Sequence, residues 1–440
     1  MMSNSRVDDA RGRVAENIPS TEARPHDGDP TLRLIPAQPV LGDETPHPLG
    51  RVPYMTVQAF CETQDLVSII NQAVADRRLS RADVTVSYGG LRGAVQFFAA
   101  HATPDLLLVE SSLAGNALFH KLDEFSEVCD ADTKVVLIGP VNDISFYRRL
   151  VERGIADYLV APIEPLGLIN AALRLFPQNE ARRLGKIAAF IGAKGGTGSS
   201  TIAQNTAWCM ANEGVKVLLA DMDLQFGTAA LNYNIDAPVG FTEQIAGAER
   251  LDEAFFERLL HNPAPNLSVL AGATASRDVI PPTLEVLDRI LDCARAAFPS
   301  VLLDLPHEWT PWVRQALLSA DEVIVTAEPD LANLRNMRTM LDLLKAARPN
   351  DPDPLLVLNR FGVARRDEIR AEDFAKALGV PLRTKVGFAP RAFSRAGNGG
   401  QMIAEISAEH GKPFVQLARV LSGRAPAKNS RGFPRWRRKD

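Results

Sequence analysis

The sequence is poor in cysteine and has no paired metal-binding motif. Its four cysteines, Cys61, Cys129, Cys209 and Cys293, are scattered over 440 residues, and no two of them form a CxxC pair. Disulfide-rich scaffolds and zinc ribbons both need several closely spaced cysteines. We therefore expect neither a disulfide framework nor a zinc site, and we expect a protein of the reducing cytoplasm.

Long apolar runs are also absent, and the charge is nearly balanced. No apolar stretch approaches the about 20 residues that a membrane-spanning helix needs. The first residues are polar and charged, so we expect no signal peptide. The net charge of -4 gives no global attraction to nucleic acid. Hydrophobic content of 46% and charged content of 23% are typical of a globular protein, and the length predicts two domains with tails.

The most informative stretch is glycine-rich and lies between two apolar patterns. A strand pattern, Ile187 to Ile191, precedes it and a helical pattern, Ile202 to Met210, follows it. Glycines let backbone N–H groups crowd a triphosphate, and the helix N-terminus adds positive charge. A glycine-rich turn without a ligand is the alternative. We predict phosphate binding by the stretch, which reads Lys194, Gly195, Gly196, Thr197, Gly198, Ser199, Ser200, Thr201.

One position of this loop departs from the common phosphate-loop pattern. That pattern ends in Gly-Lys-Ser or Gly-Lys-Thr, with the lysine reaching the β- and γ-phosphates. Here Ser199 occupies the lysine position, and Ser200 is predicted to supply the hydroxyl that binds Mg²⁺. A Lys-Gly-Gly-x-Gly start resembles the deviant Walker A loops of the ParA/MinD ATPases. The resemblance implies that Lys194 acts catalytically across a dimer interface, on the nucleotide of the second copy.

Two aspartate motifs follow strand patterns beyond the loop. Asp221 and Asp223 follow Lys216 to Ala220, and Asp304 ends the apolar run that starts at Val301. Open α/β sheets place ligand groups at the carboxyl ends of their strands. Asp304 has the Walker B form and is predicted to hold Mg²⁺ through water. In the ParA/MinD class the second aspartate of the first motif sits near the attacking water, which implies a catalytic Asp223; a helix cap is its alternative.

Other polar residues also follow strand patterns. Asn359 and Arg360 end the apolar run that starts at Leu355. In the resembling family this position contacts the base, which implies adenine and therefore ATP. His307 follows the Walker B motif, and a surface histidine is favoured over a catalytic base there.

The segment ahead of the loop alternates strand and helix patterns. Five such units lie between Val52 and about Pro177 and predict a small doubly wound α/β domain. Within it, Leu106 to Val109 is a short continuous apolar run. Such a run is typical of a parallel strand that is covered on both faces.

This segment resembles response-regulator receiver domains in two stretches, Pro104 to Glu110 and Gly154 to Pro162. Three positions that receiver chemistry needs are occupied by other residues, namely Glu110 at the phosphoacceptor aspartate, Gly139 at the hydroxyl residue and Ala161 at the lysine. We therefore predict a degenerate receiver-like domain that takes no phosphate and serves dimerisation or partner binding. For Glu110, a solvated or paired structural carboxylate is favoured over a mimic of a charged state.

The predicted fold is α/β in both halves: a flavodoxin-like receiver domain and a P-loop NTPase domain with a mostly parallel sheet. The predicted boundaries are a disordered tail (1–50), the receiver-like domain (52–177), a linker (178–185), the ATPase domain (186–421) and a basic tail (422–440). In the last segment Phe433 and Trp436 are interleaved with basic residues. This composition suits contact with an anionic membrane surface, and a solvated tail is the alternative.

Together, the two halves resemble the CpaE/TadZ-type assembly proteins of Flp (tight adherence) pili. The resemblance implies ATP and Mg²⁺ as ligands, an ATP-gated homodimer, and the pilus secretion and assembly machinery as partner. It implies a polar cytoplasmic location with peripheral contact to the inner membrane. The missing in-cis lysine predicts slow or absent hydrolysis. An active division-site or partition ATPase is the alternative, although no specific DNA binding is expected; a transcriptional regulator ranks last because no helix-turn-helix is visible.

Overall fold

The computed structural model describes residues 51–177, 184–236, 241, 245, 251–271 and 281–424. These residues form two β-sheets with helices between the strands. Residues 51–177 are named the N-terminal half below, and residues 184–424 the C-terminal half. The predictions for the first tail (1–50), for linker residues 178–183 and for tail residues 425–440 lie outside the described residues.

The N-terminal half alternates strands and helices along the chain. Its strands are β1 Met55–Cys61, β2 Ala82–Tyr88, β3 Leu106–Glu110, β4 Lys134–Gly139 and β5 Asp157–Val160, and its helices are α1 Gln64–Val74, α2 Gly90–Phe98, α3 Gly115–Ser126, α4 Ile144–Glu152 and α5 Pro165–Leu175. The strands pair in parallel in the order β2-β1-β3-β4-β5. Flavodoxin-like folds have this order, which confirms the predicted fold class.

Strand β3 shows why the apolar run in this half is continuous. Leu106 and Leu108 lie in the core formed with α1 and α5. Leu107 and Val109 lie in the core on the other face, with α2, α3 and α4. Because successive side chains of a strand point to opposite faces, a strand covered on both faces needs apolar residues at every position. The prediction for Leu106 to Val109 is therefore confirmed.

Glu110 ends β3 and binds the start of α1. Its Oε2 accepts hydrogen bonds from the backbone N–H groups of Glu62 (2.6 Å) and Thr63 (2.8 Å), and its Oε1 accepts one from the Thr63 hydroxyl (2.7 Å). The carboxylate thus satisfies donors at the N-terminus of a helix, where negative charge is favourable. The paired structural carboxylate predicted for Glu110 is confirmed.

The C-terminal half is built on a larger sheet. Its strands are β6 Lys186–Gly192, β7 Val217–Asp221, β8 Leu260–Ala264, β9 Leu267–Leu270, β10 Ser300–Asp304, β11 Glu322–Ala327, β12 Leu355–Phe361 and β13 Leu382–Gly387. The helices described in it are α6 Ser199–Asn212, α7 Ala229–Asn232, α8 Glu253–Arg258, α9 Leu284–Ala297, α10 Pro311–Ser319, α11 Leu331–Ala347, α12 Ala371–Leu378, α13 Pro390–Asn398, α14 Ile403–Ile406 and α15 Ala408–Leu421.

The strand order of this sheet places the glycine-rich loop at its centre. The order is β13-β12-β11-β6-β10-β7-β9-β8, and β8 is antiparallel to β9 while the other pairs are parallel. Strand β6, which leads into the loop, lies between β10 and β11. The carboxyl ends of β6, β7, β10 and β12 therefore share one edge of the sheet. This arrangement confirms the predicted P-loop NTPase fold with a mostly parallel sheet.

Two residues at the predicted domain boundaries pack on the C-terminal half. Gly185, assigned to the linker, donates its N–H to Arg295 O at 2.9 Å. A Cβ at Gly185 would lie 1.7 Å from Phe298 O, so the chain is already closely packed there. Arg424, assigned to the basic tail, donates from Nη1 to Glu213 O at 2.6 Å. Both residues thus belong to the folded C-terminal half.

A network of arginines and aspartates joins the two halves, which lie in one compact unit. The arginines of the N-terminal half are Arg51, Arg77, Arg78 and Arg81, and they pair with Asp288, Asp321, Asp351 and Asp292 of the C-terminal half. Nε of Arg77 lies 3.0 Å from Asp351, and its Nη2 lies 3.3 Å from Asp321. The side chains of both aspartates are 3–4% exposed. Charges buried to this degree persist only when they are paired.

The aspartates of this network keep their charge in spite of burial. Burial works against ionisation, yet Arg295 and Arg77 hold the pKa of Asp321 below its usual range. Arg77 and Arg348 do the same for the pKa of Asp351. A lowered folded-state pKa stabilises the fold above the unfolded-state pKa of about 4. This stabilisation is lost as the pH falls through the lowered folded-state pKa.

Candidate functional site

A glycine-rich loop of residues 193–198 joins β6 to α6. Gly196 has a φ of +81° and Gly198 a φ of +87°. Residues with a Cβ adopt this left-handed region only at a cost, so the loop needs glycine at both positions. The strand, glycine loop and helix follow one another as a phosphate-binding loop requires. The first N–H groups of α6 have no partner within the helix and face the end of the loop.

Three buried oxygen atoms around the loop have no hydrogen-bond partner among the described residues. They are Oγ1 of Thr197, Oγ of Ser199 and Oδ1 of Asp304. A buried polar atom without a partner costs free energy unless a ligand or water satisfies it. All three atoms belong to residues predicted to bind phosphate or metal. Their placement fits a bound polyphosphate with its cation.

The carboxylate of Asp304 lies beside that of Asp221, because β10 and β7 pair with these two residues in register. Burial raises the pKa of Asp221 to about 6. Burial, and then the charge of Asp221, raise the pKa of Asp304 well above its usual range. The Ser200 hydroxyl lies near the Asp304 carboxylate and favours its charged form. The structure therefore brings together the two residues predicted for Mg²⁺, at a point where a cation relieves the repulsion between carboxylates.

The composition of this site suits an ion that keeps most of its water ligands. In the described ranges, no group of three or more His, Cys, Asp or Glu side chains could hold a metal ion. Mg²⁺ is usually bound through one or two carboxylates together with substrate phosphates and water. Ser200 and Asp304 fit that pattern, whereas a zinc or calcium site would need more protein ligands.

The two aspartates after β7 have different surroundings. Asp221 is 1% exposed and accepts hydrogen bonds from the N–H groups of Asp223 (3.2 Å) and Ala229 (2.9 Å). Asp223 is half-buried, and its Oδ1 accepts the N–H of Phe226 at 3.0 Å. That contact closes a turn ahead of α7, whose N-cap is Thr228, so the helix cap that was the alternative for Asp223 is not found. The charge of Asp223 also contributes to the raised pKa of Asp304, so it lies near the cluster, and its catalytic role stays a prediction.

The residues predicted to contact the base bind protein groups in the structure. Asn359 is 8% exposed; its Nδ2 donates to Thr197 O at 2.7 Å, and its Oδ1 accepts the N–H of Arg360 at 2.9 Å. The Arg360 guanidinium pairs with Glu328 at 2.8 Å. Base recognition by Asn359 and Arg360 stays a prediction. The structure adds a contact that sequence reasoning did not give, between Asn359 and the glycine-rich loop.

Two further side chains hold the same loop. Nδ2 of Asn336, in α11, donates to Ala193 O at 3.0 Å. Nδ1 of His307 lies 2.8 Å from Gly192 O and donates to it, since a carbonyl oxygen only accepts. Sequence reasoning missed Asn336, because a polar residue in an amphipathic helix is ordinarily a solvent contact. His307 is exposed, as predicted, and it is tethered to the site.

Lys194 differs from these tethered residues. Its side chain is exposed at the outer part of the loop. No hydrogen bond or ion pair holds its ammonium group to the residues that the structure describes. The group is thus available for a partner outside its own chain, as the resemblance to the ParA/MinD loops implies.

Comparison with solved structures finds pilus assembly proteins. The pilus assembly protein CpaE of Caulobacter crescentus CB15 is 42% identical, over 29% of this chain and 97% of that one, with a TM-score of 0.28. The chain belongs to the CpaE family. A proposed CpaE2 pilus assembly protein of Sinorhizobium meliloti 1021 is 35% identical, over 28% of this chain and 99% of that one, with a TM-score of 0.27.

A second similarity of this CpaE-family chain concerns its C-terminal half. A family model described as an AAA domain matches residues 185–352. The septum site-determining protein MinD of Escherichia coli (strain K12) is 29% identical over 256 residues, which are 54% of this chain and 92% of that protein. The predicted ParA/MinD-type P-loop class is confirmed. The chain is therefore an ATPase-family protein, and proteins of this class use a nucleotide and Mg²⁺.

Replacing Asp304 by asparagine should separate two effects of this residue. One is its effect on stability without ligand, and the other is its part in binding Mg²⁺. Burial raises the pKa of Asp304, so its charged form is less favourable in the folded than in the unfolded chain, and the group lowers stability at neutral pH. We expect Asp304→Asn to raise the unfolding temperature without ligand by about 2–4 °C. We also expect the variant to lose the additional stabilisation that ATP with Mg²⁺ gives the natural chain.

Thermal unfolding with and without ATP and Mg²⁺ measures both effects. Asp65→Asn, at an exposed aspartate in the first turn of α1, is the control for the ligand effect and should leave the stabilisation by ATP and Mg²⁺ unchanged. An Asp304→Asn variant that is stabilised by ATP and Mg²⁺ as strongly as the natural chain would contradict the metal role.

Proposed function

We propose that the protein is an ATP-gated dimeric assembly and localisation factor for Flp (tight adherence) pili, with weak or no ATP hydrolysis. Membership in the CpaE family supports the pilus role, since the relatives are pilus assembly proteins. The ParA/MinD-type domain supports ATP and Mg²⁺ as its ligands. The proposed division is a receiver-like domain at 52–177 and an ATPase domain at 186–421, with a linker predicted at 178–185 whose last residue, Gly185, packs on the C-terminal half.

The observation that carries this proposal is the distribution of charge around the loop. Ser199, at the usual lysine position, is buried and leaves its hydroxyl without a partner among the described residues. Lys194 is exposed at the other end of the loop. The phosphates therefore receive main-chain N–H groups and hydroxyls from their own chain, and the ammonium group comes from a second copy. ATP then acts as a ligand that stabilises the dimer.

Slow hydrolysis follows from the same arrangement. Charge develops on the transferring phosphoryl group, and positive groups aimed at it are worth several kcal/mol in related reactions. A lone chain lacks such a group in the loop, because the position holds Ser199. A catalytic Asp223 and a trans-acting Lys194 together provide the turnover that remains. An active division-site or partition ATPase is the second candidate, supported by the similarity to MinD.

The proposed location is the cell pole, at the cytoplasmic face of the inner membrane. Within the described ranges, none of the helices combines the length and the apolar character needed to cross a bilayer. Contact with the membrane is assigned to the basic tail, and docking on the pilus secretion machinery to the receiver-like domain. No specific DNA binding is proposed, and a gel shift at physiological salt tests that absence.

A turnover assay beside an ATP titration tests the proposal. The natural chain should bind ATP with Mg²⁺, become dimeric by light scattering, and turn over slowly or not at all. In Lys194→Ala, the monomer should keep most of its affinity for ATP. The variant should not form the ATP-dependent dimer. The matched control is Lys186→Ala, because Lys186 is an exposed lysine at the opposite end of β6. Fast turnover that survives Lys194→Ala favours the active ATPase instead.

A further inference from the structure

We propose that His307, Asn336 and Asn359 are positioning residues that pre-organise the glycine-rich loop for phosphate. This inference rests on the proposed ATP binding. It assigns Asn359 a role through the loop in place of a role at the base. The three side chains come from three separate elements, the segment after β10, helix α11 and strand β12. Each donates to a different carbonyl of the loop region: Gly192 O at 2.8 Å, Ala193 O at 3.0 Å and Thr197 O at 2.7 Å.

Holding a carbonyl also orients the N–H of the next residue. The peptide group is planar and trans, so its N–H points away from its C=O. When Asn336 holds Ala193 O, the N–H of Lys194 points away from Asn336. When Asn359 holds Thr197 O, the N–H of Gly198 is fixed in the same way. In the described part of the chain, neither N–H donates to a backbone oxygen, so both are available to a ligand.

The peptide between Gly192 and Ala193 has a different task. Its carbonyl binds His307, and its N–H donates to Thr326 O at 2.8 Å. Both polar groups are thus satisfied, and this peptide anchors the loop to β11. The anchor and the two oriented N–H groups form a rigid cradle before any ligand arrives. A donor that is already oriented loses little entropy on binding, which matters in a loop that lacks its own lysine.

Gly198 shows that the contact of Asn359 is built into the fold. A Cβ at Gly198 would lie 2.4 Å from Nδ2 of Asn359, so only glycine allows the amide to approach Thr197 O. The Asn359 oxygen is used as well, by the N–H of Arg360. Each end of the amide thus already has one protein partner, which fixes its orientation toward the loop. We therefore expect Asn359 to contribute to binding through the polyphosphate and not through the base.

The test compares ATP, GTP and inorganic tripolyphosphate, each with Mg²⁺, by calorimetric titration of the full chain. Tripolyphosphate has neither base nor ribose, so it reports on the loop alone. We expect Asn359→Ala and Asn336→Ala each to weaken all three ligands by the same factor, about tenfold, as the loss of one hydrogen bond predicts. His307→Ala should act in the same direction, and His307→Gln, which keeps an N–H donor, should restore part of the affinity.

The outcomes separate this inference from the proposed function. Asn71→Ala, at an exposed position of α1, is the control and should bind like the natural chain. If Asn359→Ala weakens ATP or changes the ATP-to-GTP ratio while tripolyphosphate is unaffected, the residue reads the base and the inference fails. The inference also fails if Asn336→Ala binds all three ligands normally. Because Asn336 lies in another element, this variant can be judged by itself if Asn359→Ala unfolds. A natural chain that binds no ATP would instead refute the proposed function.

Discussion

Replacing Gly198 by alanine is expected to lower the affinity for ATP by about 100-fold. The residue has a φ of +87°, which costs an L-residue about 1–2 kcal/mol. The added Cβ would lie 2.4 Å from Nδ2 of Asn359 and would displace the hydrogen bond to Thr197 O, worth about 1 kcal/mol more. The loop of the variant relieves both costs by leaving the phosphate-binding conformation, and restoring that conformation on binding costs about two orders of magnitude in the dissociation constant.

Two other glycines serve as graded controls for this experiment. Gly196 has a φ of +81°, and a Cβ there would meet no atom within 4 Å, so Gly196→Ala carries the backbone cost alone. Gly214, after α6, has the same φ of +81° and the same open space, away from the loop. Its alanine variant should be less stable and bind ATP normally.

Titration of the three variants with ATP and Mg²⁺ should give the order Gly198→Ala weakest, then Gly196→Ala, then Gly214→Ala. The difference between the first two isolates the collision with Asn359, because their backbone costs are nearly equal. Equal affinities of Gly198→Ala and Gly196→Ala would show that Asn359 moves aside without consequence. They would also remove the support that Gly198 gives to the tethered loop.

Local causes explain what the sequence could predict. The run from Leu106 to Val109 needs no distant information, because an uninterrupted apolar strand must be covered on both faces. The glycine-rich loop is equally local: strand, glycines and helix follow one another within a few residues. The placement of Asp221 and Asp304 at one edge of the sheet followed from a general rule, that parallel strands bring their carboxyl ends together. Their pairing in register was not predicted.

The contacts that sequence reasoning missed join residues far apart in the chain. Asn336 binds Ala193 across a separation of 143 residues, and Arg77 binds Asp351 across 274. Neither Asn336 nor Arg77 belongs to a motif. In the sequence each is a polar residue of the kind that usually faces solvent on a helix or in a turn. Only the packing of α11 against the loop, and of one half against the other, turns these side chains inward. Asn359 is intermediate, since its place was predicted and its orientation toward Thr197 was not.

Replacing Asp351 by alanine is expected to lower the free energy of unfolding by about 3–5 kcal/mol. Removing one partner of a buried ion pair leaves the other charge buried and uncompensated. Asp351 accepts from Arg348 at 2.8 Å and from Arg77 at 3.0 Å, and it also pairs with Arg78. The side chains of these arginines are 2–10% exposed. Three guanidinium groups would thus lose a shared carboxylate in a region that water reaches poorly.

Asp353, two residues further on, provides the matched control. Its carboxylate pairs with Lys345 at 3.1 Å, and both side chains are 40–49% exposed. Exposed pairs contribute about 0–1 kcal/mol, so Asp353→Ala should change stability little. Denaturant unfolding of both variants compares their free energies of unfolding. The unfolding curves and their slopes with denaturant also show whether a second transition is present.

The number of transitions decides what the network does. Because Arg77 and Arg78 come from the N-terminal half and Arg348 from the C-terminal half, loss of Asp351 weakens the joint between the halves as well as each half. We expect the variant to unfold in two steps where the natural chain unfolds in one, since each half has its own buried core. A loss of stability below about 1 kcal/mol, equal to that of Asp353→Ala, would show that water replaces the carboxylate at no cost. The ion network would then not be what holds the N-terminal half to the C-terminal half.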